Sequence, residues 1–421
     1  MKTAVSEQVC PNITQCRLLY LVGQLGLGGL ERQLYLLLAN MDRARYKPAI
    51  AVWNFDPDEK YYRDLEALKI PIRGFPATWS PLSKLHAVRS LVRHFTPEVI
   101  HSYGFHTNFA AYYAGWRTGA VAIGSIRGNF TVAKREGGIL RGALNARWPA
   151  VHISNSQASA DEANRAAKPF KPQRVFVVRN GLNLKQFINV ENLHQKRTYV
   201  AAVGSLLPVK RWDRLLRAFQ RIKIIADDDV CLRIAGDGPL RSTLEHLAGD
   251  LGISGNVEFL GAIHDIPAFL KGARLLVHTS ESEGCPNAVI EAMACGLPVI
   301  AMEAGDIAFL MEDGKTGFVI PQGDEASLAK RLTELLRDTE RCLNMGVAGR
   351  EKASREFTLD RLVGETLAVY RAAGWKDTSA DDLPPSGARD RNLGIHINDG
   401  YRTARSAGAA GDDSLLCSEY S

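Results

Sequence analysis

Two glutamates separated by seven residues, Glu283 and Glu291, form an acidic pair whose spacing suggests chemistry. Pro286 suits the first position of a helix, and Gly296 followed by a proline is typical of a helix end. Glu283 is therefore predicted in the loop before a helix, and Glu291 one to two turns inside it. These carboxylates could accept hydrogen bonds from hydroxyl groups, while the N–H groups of residues 285–289 face an anion. Hydroxyls flanking phosphates describe a nucleoside diphosphate sugar; two unrelated surface glutamates are the alternative.

A second anion-binding segment is predicted at Lys210 and Arg211, two adjacent cations that follow a turn and open a helix. A helix N-terminus favours negative charge, so oriented N–H groups together with a lysine would suit a phosphate. A basic helix start that is only solvated is the alternative.

A third segment, residues 23–31, reads Gly-Gln-Leu-Gly-Leu-Gly-Gly-Leu-Glu. Its glycines allow backbone N–H groups to approach an anion closely. The segment lacks the GxGxxG pattern of a dinucleotide-binding loop, and a simple tight turn is the alternative.

Short apolar strands alternate with amphipathic helices along the chain, and each of the three segments follows a strand. Strands are predicted at 17–23, 48–53, 98–102, 120–125, 151–154, 174–178, 198–204, 230–236, 256–260, 274–279, 297–301 and 317–320, and helices at 29–40, 82–95, 212–226, 239–251 and 327–337. This alternation predicts parallel sheets covered by helices on both faces. Ligands of such sheets bind beyond the carboxyl ends of the strands, where the three segments lie.

The strand and helix pattern occurs twice, with a polar stretch at 189–197 between the two runs. We therefore predict two doubly wound α/β domains, residues 1–190 and residues 191–375. Residues 376–421 are rich in Asp, Ser, Gly, Ala and Arg, which predicts a disordered tail.

Composition excludes several classes of protein. The 421 residues are 46% apolar and 23% charged, which excludes fibrous and largely disordered chains. No run approaches ~18 apolar residues, so no spanning helix is expected, and the N-terminus lacks a signal-peptide pattern. The seven cysteines form no CxxC pair, which predicts reduced thiols in the cytoplasm rather than a disulfide framework or a zinc site.

Charge is unevenly distributed. Residues 1–190 contain 25 Lys and Arg against 12 Asp and Glu, whereas the remaining residues contain 27 against 34. A basic first half indicates an anionic surface or substrate, with solvated surface charge as the alternative. Nucleic acid is disfavoured because the basic residues are scattered and no basic-plus-aromatic motif is present.

Further motifs accompany the glutamate pair. They are Gly28–Arg32 (Gly-Gly-Leu-Glu-Arg), Ile153–Ser156 (Ile-Ser-Asn-Ser), Val178–Leu182 (Val-Arg-Asn-Gly-Leu), Ile234–Leu240 (Ile-Ala-Gly-Asp-Gly-Pro-Leu), Val257–Gly261 (Val-Glu-Phe-Leu-Gly) and Asp313–Phe318 (Asp-Gly-Lys-Thr-Gly-Phe). Together, in this order, they make the chain resemble the retaining glycosyltransferases of family 4 over roughly residues 17–372. The resemblance implies the GT-B architecture, in which two Rossmann-like domains face each other across a cleft.

The resemblance also implies roles for individual residues. Glu283 would bind hydroxyls of the donor sugar near its reacting carbon, Glu291 would bind the ribose hydroxyls, and Lys210 would neutralise the departing diphosphate. The base would rest near residues 260–263, largely on backbone contacts. The implied donor-binding residues are Gly28, Gly29, Ser205, Lys210, Arg211, Glu283, Gly284, Cys285, Pro286, Asn287, Ala288, Val289 and Glu291.

The chain departs from the family pattern at two positions. The arginine that usually lies five residues before the lysine is Ser205 here, so one phosphate cation is missing unless Arg211 or Arg127 compensates. Loss of that cation would weaken donor binding or slow the departure of the diphosphate. The usual His-x-His pattern begins at His101, but its second position is Tyr103. His106, three residues on, is therefore predicted as a catalytic residue together with Glu283 and Lys210; a satisfied or exposed histidine is the alternative.

These observations predict a cytoplasmic, metal-independent retaining glycosyltransferase. It would transfer a hexose-type sugar from a nucleotide diphosphate sugar to a glycan or lipid-linked acceptor in polysaccharide or cell-surface glycan biosynthesis. No cofactor is expected. Peripheral contact with an anionic membrane is expected. The alternatives are a nucleotide-sugar epimerase with the same two-domain plan and a non-catalytic nucleotide-sugar-binding homologue. A dinucleotide-dependent dehydrogenase is disfavoured because GxGxxG and its following acidic residue are lacking.

Overall fold

Parallel β-strands form the framework of the molecule. The computed structural model describes residues 15–167, 169–187, 198–223 and 230–378. The strands are β1 (Cys16–Val22), β2 (Tyr46–Phe55), β3 (Ile72–Pro76), β4 (Val99–Ser102), β5 (Val121–Ile126), β6 (Val151–Ser154), β7 (Arg174–Val177), β8 (Tyr199–Val203), β9 (Cys231–Ala235), β10 (Val257–Gly261), β11 (Ala273–His278), β12 (Val299–Met302) and β13 (Gly317–Ile320). Each of the predicted strands overlaps one of these.

The strands pair into two sheets. The first has the order β3-β2-β1-β4-β5-β6-β7 and the second the order β10-β9-β8-β11-β12-β13. The strand ladders within both sheets are parallel, for example Leu18 beside Pro48 in the first sheet and Leu276 beside Val299 in the second. The predicted α/β class with two doubly wound units is therefore confirmed.

Helices connect consecutive strands and cover the sheets. They are α1 (Gly29–Ala39), α2 (Lys60–Ala67), α3 (Pro81–Phe95), α4 (Asn108–Gly115), α5 (Phe130–Glu136), α6 (Ile139–Arg147), α7 (Gln157–Arg165), α8 (Leu184–Phe187), α9 (Trp212–Lys223), α10 (Arg241–Asp250), α11 (Ile266–Gly272), α12 (Asn287–Ala294), α13 (Ile307–Leu310), α14 (Glu325–Arg337), α15 (Thr339–Glu356) and α16 (Leu359–Ala372). Strands covered on both faces need apolar side chains on both faces, and residues 18–22 of β1 are accordingly buried throughout.

The order of each sheet reverses at one point, between β1 and β4 in the first sheet and between β8 and β11 in the second. Loops that leave the carboxyl ends of these strands diverge to opposite faces of the sheet and open a crevice there. The glycine-rich segment follows β1, His106 follows β4, Lys210 follows β8 and Glu283 follows β11. The fold therefore brings the predicted site segments to the two crevice edges.

The last helix, α16, packs against the first sheet although it follows the second sheet in the chain. Tyr370 is fully buried there, with its hydroxyl 2.7 Å from His101 Nδ1 and donating to the Tyr20 hydroxyl at 3.2 Å. Trp375 Nε1 donates to Glu98 at 3.1 Å. Residues of the predicted second domain thus complete the core of the first.

Some sequence predictions fall outside the described residues. These are the connecting stretch at 189–197, the Asp227–Asp229 run that was not expected to bind metal, and the tail from residue 379 onward. The domain boundaries at 190 and 375 therefore stay predictions. Among the described residues, no helix combines the length and apolar character needed to cross a bilayer.

Candidate active site

Lys210 and Glu283, predicted from separate segments, meet at the reversal point of the second sheet. The Lys210 ammonium donates to Glu283 Oε1 at 2.5 Å, and His278 Nε2, at the end of β11, lies 3.1 Å from the same oxygen. Both side-chain contacts use Oε1. The lysine and the carboxylate are 21% and 12% exposed, so the pair is shielded from water yet reachable.

The surroundings of Glu283 lower its pKa to about 2. Burial alone would raise the pKa, but the hydrogen bond and charge of His278 and the ammonium of Lys210 outweigh it. Glu283 is therefore ionised at neutral pH and can only accept hydrogen bonds, which suits recognition of hydroxyl groups.

Hydrogen bonds between the loops after β8 and β11 set this geometry. Thr279 Oγ1 donates to the Lys210 carbonyl at 3.0 Å, Ser280 Oγ to the Val209 carbonyl at 3.1 Å, and the Glu281 N–H to the same carbonyl at 2.9 Å. These hydrogen bonds join the two loops, so the lysine and the carboxylate are held together without a ligand.

Glu283 lies in the loop before α12, as predicted, and the helix begins four residues later at Asn287. Pro286 is its N-cap rather than its first helical residue, and no side chain caps the N–H groups of its first turn. Gly296 follows the helix with φ +69°, a left-handed conformation that favours glycine, so the predicted end is confirmed. The uncapped N–H groups, with the positive end of the helix dipole, can receive an anion.

Gly305 keeps the loop before α12 in place. Its φ is +55°, and a Cβ atom there would lie 2.3 Å from the Glu283 carbonyl oxygen, so only glycine fits. The next residue, Asp306, is fully buried; its N–H donates to the Gly284 carbonyl at 2.9 Å, and Arg179 donates to its carboxylate at 2.7 Å. An ion pair with a fully buried carboxylate thus supports the loop that carries Glu283.

Glu291 lies in the second turn of α12 and is 2% exposed. Its partner is Arg32 of α1, which donates to Glu291 Oε1 from across the crevice. The loops after β1, β4 and β5 form one wall of the crevice, here called the first-sheet wall. The loops after β8 and β11, together with α12, form the opposite wall, here called the second-sheet wall. The pair joins the two walls.

A second cross-contact centres on Asn287, the first residue of α12. Its Oδ1 accepts from Gln33 at 3.2 Å and from Asn180 at 2.8 Å. A Cβ atom on Gly29 would lie 3.0 Å from Asn287 Nδ2, so the glycine-rich segment faces the start of α12 directly. Gly28 is the N-cap of α1 immediately before it. The structure therefore brings Gly28, Gly29 and the start of α12 together.

Arg211 does not replace the arginine that is missing at Ser205. Ser205 is exposed, and Arg211 directs its guanidinium to Asp213 at 3.0 Å and to Glu281 at 3.0 Å. These carboxylates raise the pKa of Arg211 further and hold the group. Arg211 is thus engaged by Asp213 of α9 and by Glu281 of the loop after β11. Ala288 and Val289 lie in the first turn of α12, and Cys285 lies in the loop before it.

The two histidines of the first-sheet wall have different surroundings. His106 is exposed in a short 3₁₀ turn after β4, packed edge-on against Phe105. His101 is buried, with Nδ1 2.7 Å from the Tyr370 hydroxyl and Nε2 3.0 Å from Ser125. Burial, followed by the charge of Arg127, lowers the pKa of His101 well below its usual value, so this histidine is neutral and structural.

Four residues that contact the site were not predicted as site residues: Arg32, Asn180, His278 and Asp306. Each acts by orienting a predicted residue. His278 carried a visible signal, because a histidine that ends an otherwise apolar strand lies at the ligand-binding edge of a parallel sheet. The other three contact partners more than 100 positions away, which local patterns do not reveal.

Two family models match most of the described chain. Residues 27–186 match a model described as Glycosyltransferase Family 4, and residues 185–352 match one described as Glycosyl transferases group 1. The N-acetyl-alpha-D-glucosaminyl L-malate synthase of Bacillus anthracis is 30% identical over 48% of this chain and 51% of its own length. A GDP-mannose-dependent alpha-(1-6)-phosphatidylinositol monomannoside mannosyltransferase of Mycolicibacterium smegmatis is 34% identical over 37% and 43%. The chain thus spans about half the length of these curated relatives.

Solved structures share the whole two-sheet arrangement. HepE of Anabaena, in complex with UDP, superposes with a TM-score of 0.72 at 20% identity, covering 85% of this chain and 100% of that one. TarM of S. aureus, in a complex that includes UDP, gives 0.69 at 14% identity, covering 85% and 100%. These similarities confirm the predicted GT-B fold.

Proposed function

Because the chain belongs to the group 1 glycosyl transferases of glycosyltransferase family 4, we propose that it transfers a hexose-type sugar from a nucleotide diphosphate sugar to a glycan or lipid-linked acceptor. The observation that carries this proposal is the meeting of Lys210 and Glu283 at the uncapped start of α12, with Glu291 one turn further on. The UDP named in the complexes of structural neighbours supports a nucleotide donor.

The pyrophosphate of the donor would lie at the first turn of α12, beside Lys210. Negative charge grows on the diphosphate as its bond to the sugar breaks. A fixed ammonium and preorganised N–H donors stabilise that charge more in the transition state than in the ground state. Lys210 would share its donors between Glu283 and the phosphate.

The two glutamates would position the ends of the donor. Within the described residues, no side chain hydrogen-bonds Glu283 Oε2, so this oxygen is available to hydroxyls of the sugar. Glu291 would accept from the ribose hydroxyls while it keeps its bond to Arg32. The separation between Glu283 in the loop and Glu291 in the helix would thus match the distance between the sugar and the ribose of the donor.

We further propose that the reaction retains the anomeric configuration and proceeds without a metal ion or cofactor. The family resemblance supports same-face attack, in which an oxygen of the departing diphosphate helps to remove the acceptor proton. Lys210 and the α12 N–H groups would supply the charge neutralisation that a metal ion gives in other transferases. If a chelator abolished the activity and a divalent cation restored it, this part of the proposal would be contradicted.

A ligand screen tests the donor directly. Purified protein is heated with UDP- and GDP-sugars, and a true donor should raise the melting temperature, with a larger rise at higher donor concentration. Lys210→Ala should lose most of the stabilisation, whereas Lys315→Ala, at an exposed pair with Glu312, should keep it. Absence of stabilisation by every nucleotide sugar would contradict the proposal.

Product analysis separates transfer from the alternatives. A transferase releases nucleoside diphosphate at a useful rate only when an acceptor is present. An epimerase releases it, or converts the sugar, without any acceptor. A non-catalytic homologue binds the donor and converts nothing.

We also propose that the first-sheet side contacts an anionic lipid surface at the cytoplasmic face of a membrane. Ile139 and Leu140, at the start of α6, are 97% and 71% exposed, and the exposed cations Arg135 and Arg141 flank them. Apolar side chains beside basic ones suit the interface of an anionic leaflet, where each cation contributes about 1 kcal/mol. Such a surface would bring the crevice to a lipid-linked acceptor.

Vesicle sedimentation tests this surface. The protein should bind vesicles containing phosphatidylglycerol and not vesicles of phosphatidylcholine alone, and Ile139→Asp should reduce binding. Val347→Asp, at an apolar residue of α15 that is 54% exposed, should have no effect. Equal binding to both kinds of vesicle would contradict the proposal.

A further inference from the structure

Arg127 occupies an unusual position in the first-sheet wall. It directly follows β5, at the carboxyl edge of the first sheet, and its guanidinium carbon lies 4.1 Å from the centre of the Tyr103 ring. Tyr103 is fully buried and follows β4, the strand that borders the reversal point of this sheet. The stacked pair therefore sits where parallel sheets bind ligands.

Polar atoms of both side chains lack hydrogen-bond partners among the described residues. Arg127 Nε and Nη1 and the Tyr103 hydroxyl are buried and make no hydrogen bond. A guanidinium keeps its charge at all relevant pH values and offers five N–H donors. Buried donors without acceptors are costly, and a bound ligand is one source of the acceptors that they need.

Other cations at the crevice are arranged differently. Arg32, Arg179 and Lys210 each contact a carboxylate, namely Glu291, Asp306 and Glu283. Arg211 contacts Asp213 and Glu281. Arg127 has no carboxylate within 4.0 Å in the described part of the chain, so its counter-charge is not built into the protein.

The space beside the pair is open and close to the glycine-rich segment. A Cβ atom on Gly128, the next residue, would have nothing within 4 Å. A Cβ atom on Gly104, next to Tyr103, would lie 3.8 Å from Leu30 in the first turn of α1. A group bound by the pair would therefore lie beside the start of α1, on the side of the crevice opposite Lys210.

We infer that Arg127 and Tyr103 form an anion subsite that binds a phosphate group. The planar guanidinium can give two parallel hydrogen bonds to phosphate oxygens, and the phenol hydroxyl can donate a third. This inference rests on the proposed function, because a glycosyltransferase that uses a nucleotide sugar binds phosphate groups in the crevice. The phosphate comes either from the diphosphate of the donor or from an acceptor that carries a phosphate group.

Calorimetry with UDP and GDP tests the first source. Arg127→Gln removes the charge, and Tyr103→Phe removes only the hydroxyl and keeps the ring. The matched control is Arg117→Gln, which removes an exposed arginine stacked at 4.6 Å on Trp116. If the donor supplies the phosphate, Arg127→Gln should lower the affinity for the nucleotide that the wild type prefers by about tenfold or more. This is the loss expected for one charge-assisted hydrogen bond.

Inorganic phosphate added to protein saturated with that nucleotide tests the second source. If the acceptor supplies the phosphate, Arg127→Gln should leave the nucleotide affinity unchanged and abolish the further rise in melting temperature caused by phosphate. Arg117→Gln should behave like the wild type in both assays. Tyr103→Phe should show a smaller loss in the same assay as Arg127→Gln, since the charge remains.

The outcomes are separable. If Arg127→Gln matches Arg117→Gln with both probes, the subsite does not exist, whatever the catalytic activity. If the wild type binds no nucleotide but binds inorganic phosphate through Arg127, the proposed donor is wrong and the subsite stands. Circular dichroism of each variant establishes that a loss reflects binding and not unfolding.

Discussion

The two walls of the crevice differ in how their charges are balanced. In the second-sheet wall, Lys210 and Arg211 are each paired with a carboxylate, and Glu283 is further held by His278. In the first-sheet wall, Arg127 stacks on an aromatic ring and His106 is exposed. The second-sheet wall is preorganised for one kind of ligand, whereas the first-sheet wall leaves charge for a ligand to balance.

The largest effect should come from Lys210→Ala. In the proposed reaction, removing the ammonium withdraws charge stabilisation from the departing diphosphate, so turnover should fall by ~10²-fold or more. Steady-state release of nucleoside diphosphate in the presence of acceptor measures this, with Lys315→Ala as the control. Near-normal turnover of Lys210→Ala would show that the second-sheet wall is not the catalytic one.

Glu283→Gln tests the carboxylate of the same wall through its pH dependence. The pKa of Glu283 falls from 4.5 to about 2 on folding, so its ionised form stabilises the native state above pH 4.5 and this contribution is lost as pH falls toward 2. At pH 7 the variant should be less stable by about 2–3 kcal/mol, because Lys210 loses a partially buried partner. Urea unfolding at pH 7 and pH 3.5 should show the difference shrinking at the lower pH; a constant difference would contradict the ionised state.

Arg32→Gln tests the link between the walls. It leaves Glu291, which is 2% exposed, without its cation, so unfolding free energy should fall by about 1–3 kcal/mol. Arg63→Gln is the control, since its pair with Asp58 is 74% and 87% exposed and should contribute under about 0.5 kcal/mol. Equal effects of the two variants would mean that the cross-crevice pair does not hold the walls together.

The smallest effect is expected from Ser205→Arg. An arginine at this exposed position restores the cation typical of the family beside Lys210, so donor affinity should rise by about threefold to tenfold. Calorimetry with the donor measures the gain, and Ser205→Gln controls for side-chain length. An unchanged affinity would indicate that the donor phosphates lie away from this turn.

The sequence predicted the second-sheet wall well because its residues lie in compact motifs. Helix α12 with both glutamates, its glycine end and the strands around it follow from local patterns of proline, glycine and apolar residues. Strand β3 was missed because Arg73, Gly74 and Pro76 interrupt its apolar pattern; it lies at the edge of the sheet, where proline is tolerated.

Partners distant in the chain could not be predicted. The Arg32 contact to Glu291 spans 259 positions, and the Arg179 contact to Asp306 spans 127. Arg211 appeared available as a compensating cation because its neighbour Asp213 and the distant Glu281 carry no pattern that links them. Helix α16 packs its apolar residues into the core of the first sheet, far from its position in the chain, so this attachment depends on tertiary packing.

The return of α16 to the first sheet has a consequence for dissecting the molecule. The polypeptide passes from one lobe to the other twice, so two covalent connections join the lobes instead of one. A truncation ending before α16 would leave a hole where Tyr370 and Leu362 belong in the first lobe. A separately expressed second lobe should therefore stop near residue 357, and the first lobe should fold only when α16 is supplied in cis or as a peptide.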